Sequence, residues 1–144
     1  NLQLEAFADI DATLEESREV LGVDIPELAQ YADFLSPRTA HVDMNLHPRW
    51  IRDVTRWFRR TCDLPVVPSI RVSKTEEPST HVPTDELFTA IQMALHGRAR
   101  GVNIFSTGAN VGRITDEQWT SVERSFVEMN DLFEDSGLAV QDLV

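Results

Sequence analysis

The 144-residue chain is strongly acidic, and its charge bounds the kinds of partner that it can bind. Asp and Glu number 24 against 13 Lys and Arg, which gives a formal net charge of -11 at pH 7. Such a surface repels nucleic-acid phosphates and anionic membranes, so we expect neither as a partner. The length suffices for one ordinary domain with an apolar core, and the sequence contains no apolar stretch long enough to span a bilayer.

The acidic composition has two interpretations. Lys74 is the single lysine among the basic residues, and an acidic, lysine-poor surface resembles those of halophilic proteins, whose self-repulsion is relieved by salt. A GC-rich genome that prefers arginine codons, combined with an ordinary acidic protein, explains the same composition. The two interpretations stay open, and neither bears on the fold.

The ends and the cysteine content leave the cellular compartment undetermined. The chain begins at Asn1 without an initiator Met and enters a strand-like run almost at once, so we expect it to be part of a longer polypeptide. Cys62 is the only cysteine, which excludes a disulfide within this chain but fits either redox environment. Its position after an arginine-rich helix favours a structural role over a reactive thiolate.

Strand-like runs alternate with helical patterns along the chain. Strands are predicted at residues 2–7, 33–38, 65–72 and 102–105, and helices at 13–21, 24–32, 48–61, 84–98 and in a final stripe that includes Trp119, Val122, Phe126 and Met129. This alternation is typical of parallel βα units and predicts an α/β fold. Four such units form either an open doubly wound sheet or half of a barrel, and the periodicity does not separate the two.

The whole chain, 1–144, is expected to be a single domain or a partial domain, with a loosely packed tail over residues 137–144. The three tryptophans, Trp50, Trp57 and Trp119, lie on the apolar stripes of predicted helices. We therefore expect them in the core, where helix stripes pack, and not on a sugar-stacking surface.

Residues 22–37 resemble a segment of glycoside-hydrolase-like (β/α)8 barrels. In those barrels an acidic loop and a short helix lead into a strand that reads roughly Asp-Phe-x-Ser-Pro, matched here by Asp33, Phe34, Ser36 and Pro37. Residues 65–70 are similar to the next-to-last strand of that group, and residues 101–105 are similar to its closing strand. The ordered series implies four parallel βα units that form the C-terminal half of a TIM (β/α)8 barrel.

This resemblance also implies a function and partners. It points to a carbohydrate-active hydrolase without a cofactor, acting on a carbohydrate or another small molecule. As half of a barrel, the chain would need either a missing N-terminal half of the same polypeptide or a second copy in a homodimer. Two positions depart from the family pattern: Arg38 stands where Met is usual, and Ala40 stands near a usual Tyr. The lost aromatic weakens the implied substrate class more than the implied fold.

In a (β/α)8 barrel the active site forms from loops at the carboxyl ends of the strands. Glycoside hydrolysis needs two carboxylates at a defined separation, one acting as acid and the other as nucleophile or base. The catalytic candidates at these ends are Asp9, Asp43 and Glu76, with Glu77 as a further choice. Each of them alone is better explained as a solvated loop acid in a very acidic protein, and the catalytic pair can also lie on a missing half.

Five other residues at the same predicted edge are candidates for substrate binding: Arg38, His41, Lys74, Ser106 and Asn110. The guanidinium of Arg38 suits a bidentate grip on a carboxylate or on sugar hydroxyls, and an ion pair with Asp9 or Asp43 is the alternative. The spacing of His41, Asp43 and His47 is too unspecific to indicate a metal, so we assign no metal ligands.

Two alternative functions remain open from the sequence. The loop over residues 106–112 carries Gly108 and Gly112 and could cradle a phosphate, which would suit an enzyme that acts on a phosphorylated small molecule. It lacks the Gly-Lys-Ser/Thr of a P-loop. The loss of the expected aromatic near Ala40 instead fits a non-catalytic barrel that binds glycans.

Overall fold

The computed structural model describes residues 24–77, 79–106 and 113–135, with side chains described as far as residue 131. In these ranges the chain forms four helices and two strands, in the order α1 (Ile25–Ala29), α2 (Arg49–Thr61), β1 (Ser69–Arg71), α3 (Thr84–His96), β2 (Asn103–Phe105) and α4 (Asp116–Asp135). The strand predicted at 2–7, the helix predicted at 13–21 and the tail over 137–144 lie outside the described residues.

The helices form where the apolar periodicity predicts them. The side chain of Asp24 caps α1 by accepting a hydrogen bond from the backbone N–H of Glu27 at 3.1 Å. In α2 the apolar residues at spacings of three and four, Ile51, Val54 and Phe58, are all buried. The predicted helix ends agree with the observed ends of α2 and α3 to within two residues.

The strands are shorter than the apolar runs predict. β1 and β2 pair in parallel, with Ser69 opposite Asn103 and Arg71 opposite Phe105. The chain before α2 runs parallel to the chain before β1, but the two segments make only isolated bridges, at Leu35 with Val66 and at Arg38 with Ser69.

Proline explains why this pairing does not become a continuous strand. The carbonyl of Leu35 accepts a hydrogen bond from Val67, and the carbonyl of Pro37 accepts one from Ser69. A regular parallel ladder also needs the N–H of residue 37 to donate to Val67, and Pro37 has no N–H. The runs at 33–38 and 65–72 thus carry the right apolar pattern but lack the donors that a strand requires.

The prediction of a TIM half-barrel is therefore wrong. It required four parallel βα units, and the described residues contain two short parallel strands among four helices. The physical reason is the same interruption by proline, since Pro65 and Pro68 shorten the third predicted strand to the three residues of β1. The fold implied by the resemblance to (β/α)8 barrels is not the fold of the described chain.

Two apolar clusters hold the described elements together. The larger one joins β1 to α2 and α3 and includes Ile51, Ile70, Leu87 and Ile91, each with no exposed surface. The smaller one joins α1 and the other end of α2 around Phe58, which meets the ring of Trp57 edge-on with centroids 4.9 Å apart. α3 packs against both α2 and α4, so it lies at the centre of the helical layer.

Two positions show how closely the elements approach. Gly97 ends α3 where it meets α2, and a Cβ built there would lie 2.8 Å from the Cβ of Thr55. Gln118 in the first turn of α4 exchanges hydrogen bonds with Thr115, as the predicted capping-box spacing requires. Its side-chain amide also donates to the carbonyls of Val72 and Val82, at 2.9 and 2.8 Å, and so ties α4 to the base of the loop that follows β1.

Candidate functional site

The parallel segments direct their carboxyl ends toward one edge of the molecule, and the candidate site lies there. A turn at residues 41–45 follows the bridged segment 35–38 at this edge. After β1 the chain forms a hairpin-like loop, described over residues 72–77 and 79–82. The antiparallel bridge between Ser73 and His81 and the hydrogen bond from Val82 N–H to the Val72 carbonyl close it. Because the strands are parallel, the side chains that follow them meet at the same edge.

Asp43 joins the turn to the hairpin-like loop. Its Oδ1 accepts the backbone N–H of Thr75 at 2.8 Å, and its Oδ2 accepts the hydroxyl of Thr75 at 2.5 Å. The Nε of Arg71 lies 3.4 Å from the same Oδ2. Both carboxylate oxygens are therefore engaged by protein donors, which makes Asp43 a residue that orders the edge.

Arg71 is the most unusual buried side chain of this edge. It is 2 % exposed, and its guanidinium carbon lies 5.1 Å from the centroid of the Phe105 ring at the end of β2. A buried guanidinium is costly unless it is paired and hydrogen-bonded. The Asp43 carboxylate and the Ser73 carbonyl, each 3.4 Å from Nε, supply part of this compensation.

His41 and Glu86 form the second buried polar contact of the edge. The Nε2 of His41, a residue with no exposed surface, lies 3.2 Å from the Oε1 of Glu86 in the first turn of α3. Burial lowers the pKa of His41 below its ordinary value of 6.5, and this outweighs the opposing effects of Glu86, the Thr39 backbone and Asp43. The imidazole is therefore neutral at pH 7. In the tautomer that suits the contact, Nε2 carries the proton, and this N–H donates a hydrogen bond to the Glu86 carboxylate.

Glu86 also lines an open cleft, which connects the buried pair to solvent. The cleft has a volume of about 540 Å³, and the side chain of Glu86 is 36 % exposed. The cleft is lined by Asn45, Leu46, His47, Pro48, Asp85, Glu86 and Thr89. Its walls are thus the end of the turn at 41–45, the start of α2 and the first turns of α3.

Two local features shape the wall of the cleft opposite α3. Asn45 has a φ of 53°, a left-handed conformation that Asn tolerates better than most residues. The Nδ1 of His47 accepts a hydrogen bond from the backbone N–H of Arg49 at 3.1 Å, which satisfies a donor at the start of α2 that no helical carbonyl can reach. The turn therefore reaches α2 in a defined conformation.

The residues predicted as catalytic do not meet in this cleft. Asp43 lies at the same edge but is bonded to Thr75 and Arg71. Glu76 is exposed on the hairpin-like loop, as is Glu77, whose carboxylate accepts a hydrogen bond from Thr80. Asp9 lies outside the described residues.

The residues predicted for substrate binding are spread along the edge. His41 belongs to the buried pair with Glu86. Lys74 is exposed on the hairpin-like loop, Arg38 lies at the bridge with Ser69, and Ser106 follows β2. Asn110 and the glycines of the predicted phosphate loop lie outside the described residues. Of the residues predicted for the site, none is among those that line the cleft.

Sequence reasoning missed Glu86 and Asp85. The site residues were predicted from the loops directly after strands, whereas these two residues belong to the first turn of α3. Acidic residues in a first turn are common for a purely structural reason, their favourable interaction with the helix dipole. The available signal was that α3 begins directly after a long loop at the carboxyl end of β1, so its first turn lies at the same edge as that loop.

The prediction that the three tryptophans lie in the core agrees with the structure at two positions and is wrong at the third. Trp50 and Trp57 pack against the apolar clusters, as expected. Trp119 is 52 % exposed, so its assignment to the core is wrong. It lies beside Gln118, whose buried side chain turns that face of α4 inward and leaves the neighbouring position toward solvent.

Cys62 is buried, and this burial, together with the charge of Asp24, raises the pKa of its thiol, which fits a structural role.

Searches for other kinds of site and for similar proteins add no candidate. Within residues 24–77, 79–106 and 113–135, no three metal-binding side chains come together, and each helix is too short or too polar to cross a membrane. Comparisons of the chain with protein-family models, with curated proteins and with solved structures find no match. The physical basis for a function is therefore the cleft and its buried His41–Glu86 pair.

Proposed function

We propose that the chain carries a carbohydrate-hydrolysing site in the cleft, with Glu86 as the carboxylate that transfers a proton. One observation carries the proposal: Glu86 contacts the fully buried His41 at 3.2 Å and also lines the open cleft of about 540 Å³. A titratable side chain held by a buried partner and reached by solvent is the usual arrangement of a general acid or base.

The contact with His41 defines what Glu86 can do. A neutral imidazole that donates from Nε2 engages one carboxylate oxygen and fixes the rotamer of the side chain. Because the side chain is 36 % exposed, water or a sugar hydroxyl can reach the carboxylate from the cleft. Glu86 is then suited to accept a proton from an attacking water, or to donate one to a leaving oxygen after being protonated. His41 acts as a positioning residue.

Hydrolysis of a glycoside generally uses a second carboxylate. Asp85 supplies it, because it precedes Glu86 in α3 and lines the same cleft. Its Oδ1 accepts a hydrogen bond from the Thr84 hydroxyl at 3.2 Å, which orients the carboxylate at the rim. Asp43 is the poorer choice for this role because donors from Thr75 and Arg71 already engage both of its oxygens.

The size and lining of the cleft support a small polar substrate. Its volume lies within the range of about 300–1,000 Å³ that is usual for small-molecule sites. Asn45, Thr89 and the two carboxylates provide hydrogen-bonding groups for hydroxyls, while Leu46 offers exposed apolar surface for the face of a sugar ring. Five of the seven lining residues are polar, which suits a ligand that carries many hydroxyl groups.

The test compares Glu86→Gln with Glu77→Gln on a panel of chromogenic nitrophenyl glycosides of neutral and amino sugars. The amide keeps the shape of Glu86 but cannot transfer a proton, so we expect kcat on the best substrate to fall about a hundredfold or more. Glu77 is exposed on the hairpin-like loop and does not line the cleft, so Glu77→Gln is the matched control and should retain the rate of the original chain.

The role of His41 needs a separate readout. His41→Leu should lower kcat with little change in KM, because Glu86 loses the hydrogen-bond donor that fixes its rotamer while the rest of the cleft is kept. Equal activity of Glu86→Gln and Glu77→Gln would remove Glu86 from the chemistry. If the chain binds sugars without cleaving any glycoside, the non-catalytic glycan-binding alternative replaces the proposal.

A further inference from the structure

The charges on the wall of the cleft bear on which sugars it accepts. Its lining includes the carboxylates of Asp85 and Glu86 and contains neither lysine nor arginine. Arg49, the nearest arginine in sequence, is exposed beyond Pro48 at the start of α2, and it is tied to the cleft wall through its backbone N–H, which binds the His47 ring. The lining also contains the imidazole of His47, so its fixed negative charges are the two carboxylates, which attract ligands of positive charge.

Both carboxylates of the cleft lie at the start of a helix. Asp85 and Glu86 are in the first turn of α3, where backbone N–H groups have no helical partners and the helix dipole favours anions. Pro83, the N-cap residue, provides no side-chain cap to those groups. His41 adds a hydrogen-bond donor to Glu86 from the buried side. The cleft therefore presents anionic acceptors to a ligand.

The two carboxylates determine which charge on a sugar is favourable in the cleft. A sugar that carries a carboxylate, a sulfate or a phosphate would bring like charge against Asp85 and Glu86 in this open cleft, and like charges repel. A protonated amine would donate charge-assisted hydrogen bonds to the same two carboxylates. Asn45 and Thr89 remain to bind the neutral hydroxyls.

We infer that the cleft selects sugars that carry a free, protonated amine, such as a 2-amino-2-deoxy sugar, over their N-acetylated, neutral and acidic counterparts. The inference rests on the proposed function in that it takes the cleft to be the sugar site. It adds the substrate class and assigns Asp85 a role in specificity, as the carboxylate of the cleft that does not contact His41.

The test measures binding by NMR on the isotope-labelled chain, following the amide signals of Leu46 and Thr89 on opposite walls of the cleft. The probes are glucosamine, N-acetylglucosamine, glucose and glucuronic acid at pH 6.5. We expect glucosamine to bind about tenfold more tightly than N-acetylglucosamine or glucose, glucuronic acid to bind most weakly, and the preference for glucosamine to shrink at high salt.

Asp85→Asn and Asp131→Asn form a matched pair for this test. Both remove one carboxylate from a helix, but Asp131 is exposed on α4 and is not part of the cleft lining. Asp85→Asn should abolish most of the preference for glucosamine, and Asp131→Asn should leave it intact. Equal affinity for glucosamine and N-acetylglucosamine, or an equal effect of the two substitutions, would overturn the inference.

The outcomes separate this inference from the proposed function. Cleavage of neutral glycosides that depends on Glu86, without any preference for an amine, overturns the amine specificity and leaves the hydrolytic proposal standing. Tight binding of glucosamine that depends on Asp85, without cleavage of any glycoside, supports the specificity and contradicts the hydrolytic role of Glu86.

Discussion

The helical layer and the strand-end edge bury side chains to the same depth but with opposite chemistry. In the layer, fully buried positions such as Ile51, Leu87 and Ile91 remove apolar surface from water, which stabilises the fold directly. At the edge, His41 and Arg71 are as deeply buried, and burial of such groups costs free energy unless each polar atom finds a partner. The layer therefore explains why the chain folds, and the edge is the region in which a function has to be sought.

This contrast also explains the density of hydrogen bonds at the edge. Asp43 accepts two hydrogen bonds from Thr75 and forms an ion pair with Arg71. Glu86 accepts a hydrogen bond from His41. Each of these contacts joins residues that are far apart in the chain. The edge is thus held by a few specific polar contacts, and the loss of one should have a larger local effect than a similar change within the layer.

The largest effect on stability is expected from Gln118, which links the two regions. Gln118→Met keeps the length of the side chain but removes its hydrogen bonds to Thr115, Val72 and Val82. Because buried carbonyls lose donors, we expect the free energy of unfolding in urea to fall by about 2–3 kcal/mol. Gln92→Met is the matched control within the layer, since the buried amide of Gln92 donates a single bond, to the Ser125 carbonyl at 3.0 Å, and should cost about 1 kcal/mol. Equal losses would show that the link is no stronger than an ordinary buried contact.

A somewhat smaller effect is expected within the helical layer, from Gly97. The added methyl of Gly97→Ala would lie 2.8 Å from the Cβ of Thr55 and 3.0 Å from the carbonyl oxygens of Arg52 and Ala94. Two of these atoms are backbone, so α2 and α3 have to separate, and we expect a loss of about 1–2 kcal/mol. Gly101→Ala is the control, because nothing lies within 4 Å of its Cβ position and the substitution should be neutral or slightly stabilising. Similar unfolding midpoints for the two variants would show that the helices are not closely packed at Gly97.

The sequence predicts most of the helical layer, and the exception is the apolar stripe of α4, where Trp119 and Phe126 are exposed. The apolar spacing in α2, the capping residue Asp24 and the reciprocal pair Thr115 and Gln118 each depend on contacts within a few residues, and the structure confirms all three. Local rules describe these features because a helix satisfies most of its hydrogen bonds within itself. The agreement extends to the ends of α2 and α3 for the same reason.

The strands and the site are harder to predict because they depend on distant parts of the chain. Residues 33–38 have strand-like composition, but whether they form a ladder depends on a donor at position 37, which proline lacks. His41 and Asp43 were assigned to the edge from their position after a strand, and both lie there. Their partners Glu86 and Thr75 are 45 and 32 residues away, and no local pattern indicates those contacts.

The smallest expected effect on stability is its pH dependence, which compares His41 at the edge with His96 in the helical layer. The pKa of His41 is lowered by burial, so the unfolded chain binds a proton at this residue more readily than the folded chain does. The free energy of unfolding should consequently fall as the pH drops below 6.5, and this contribution is fully present only above that value. Glu86 and Asp43 face the imidazole and oppose the shift, which keeps the effect small.

The measurement is the midpoint of urea unfolding between pH 7.5 and pH 5 for the original chain and for His41→Gln, which cannot gain a proton in this range. We expect the decline below pH 6.5 to be shallower in the variant, although the variant is less stable overall because an amide of a different shape replaces the fully buried imidazole. His96, exposed at the end of α3 in the helical layer, supplies the matched control, and His96→Gln should retain the slope of the original chain. If His41→Gln and His96→Gln show the same slope as the original chain, the protonation of His41 does not distinguish the edge from the layer, and the pH sensitivity has to come from carboxylates that titrate lower.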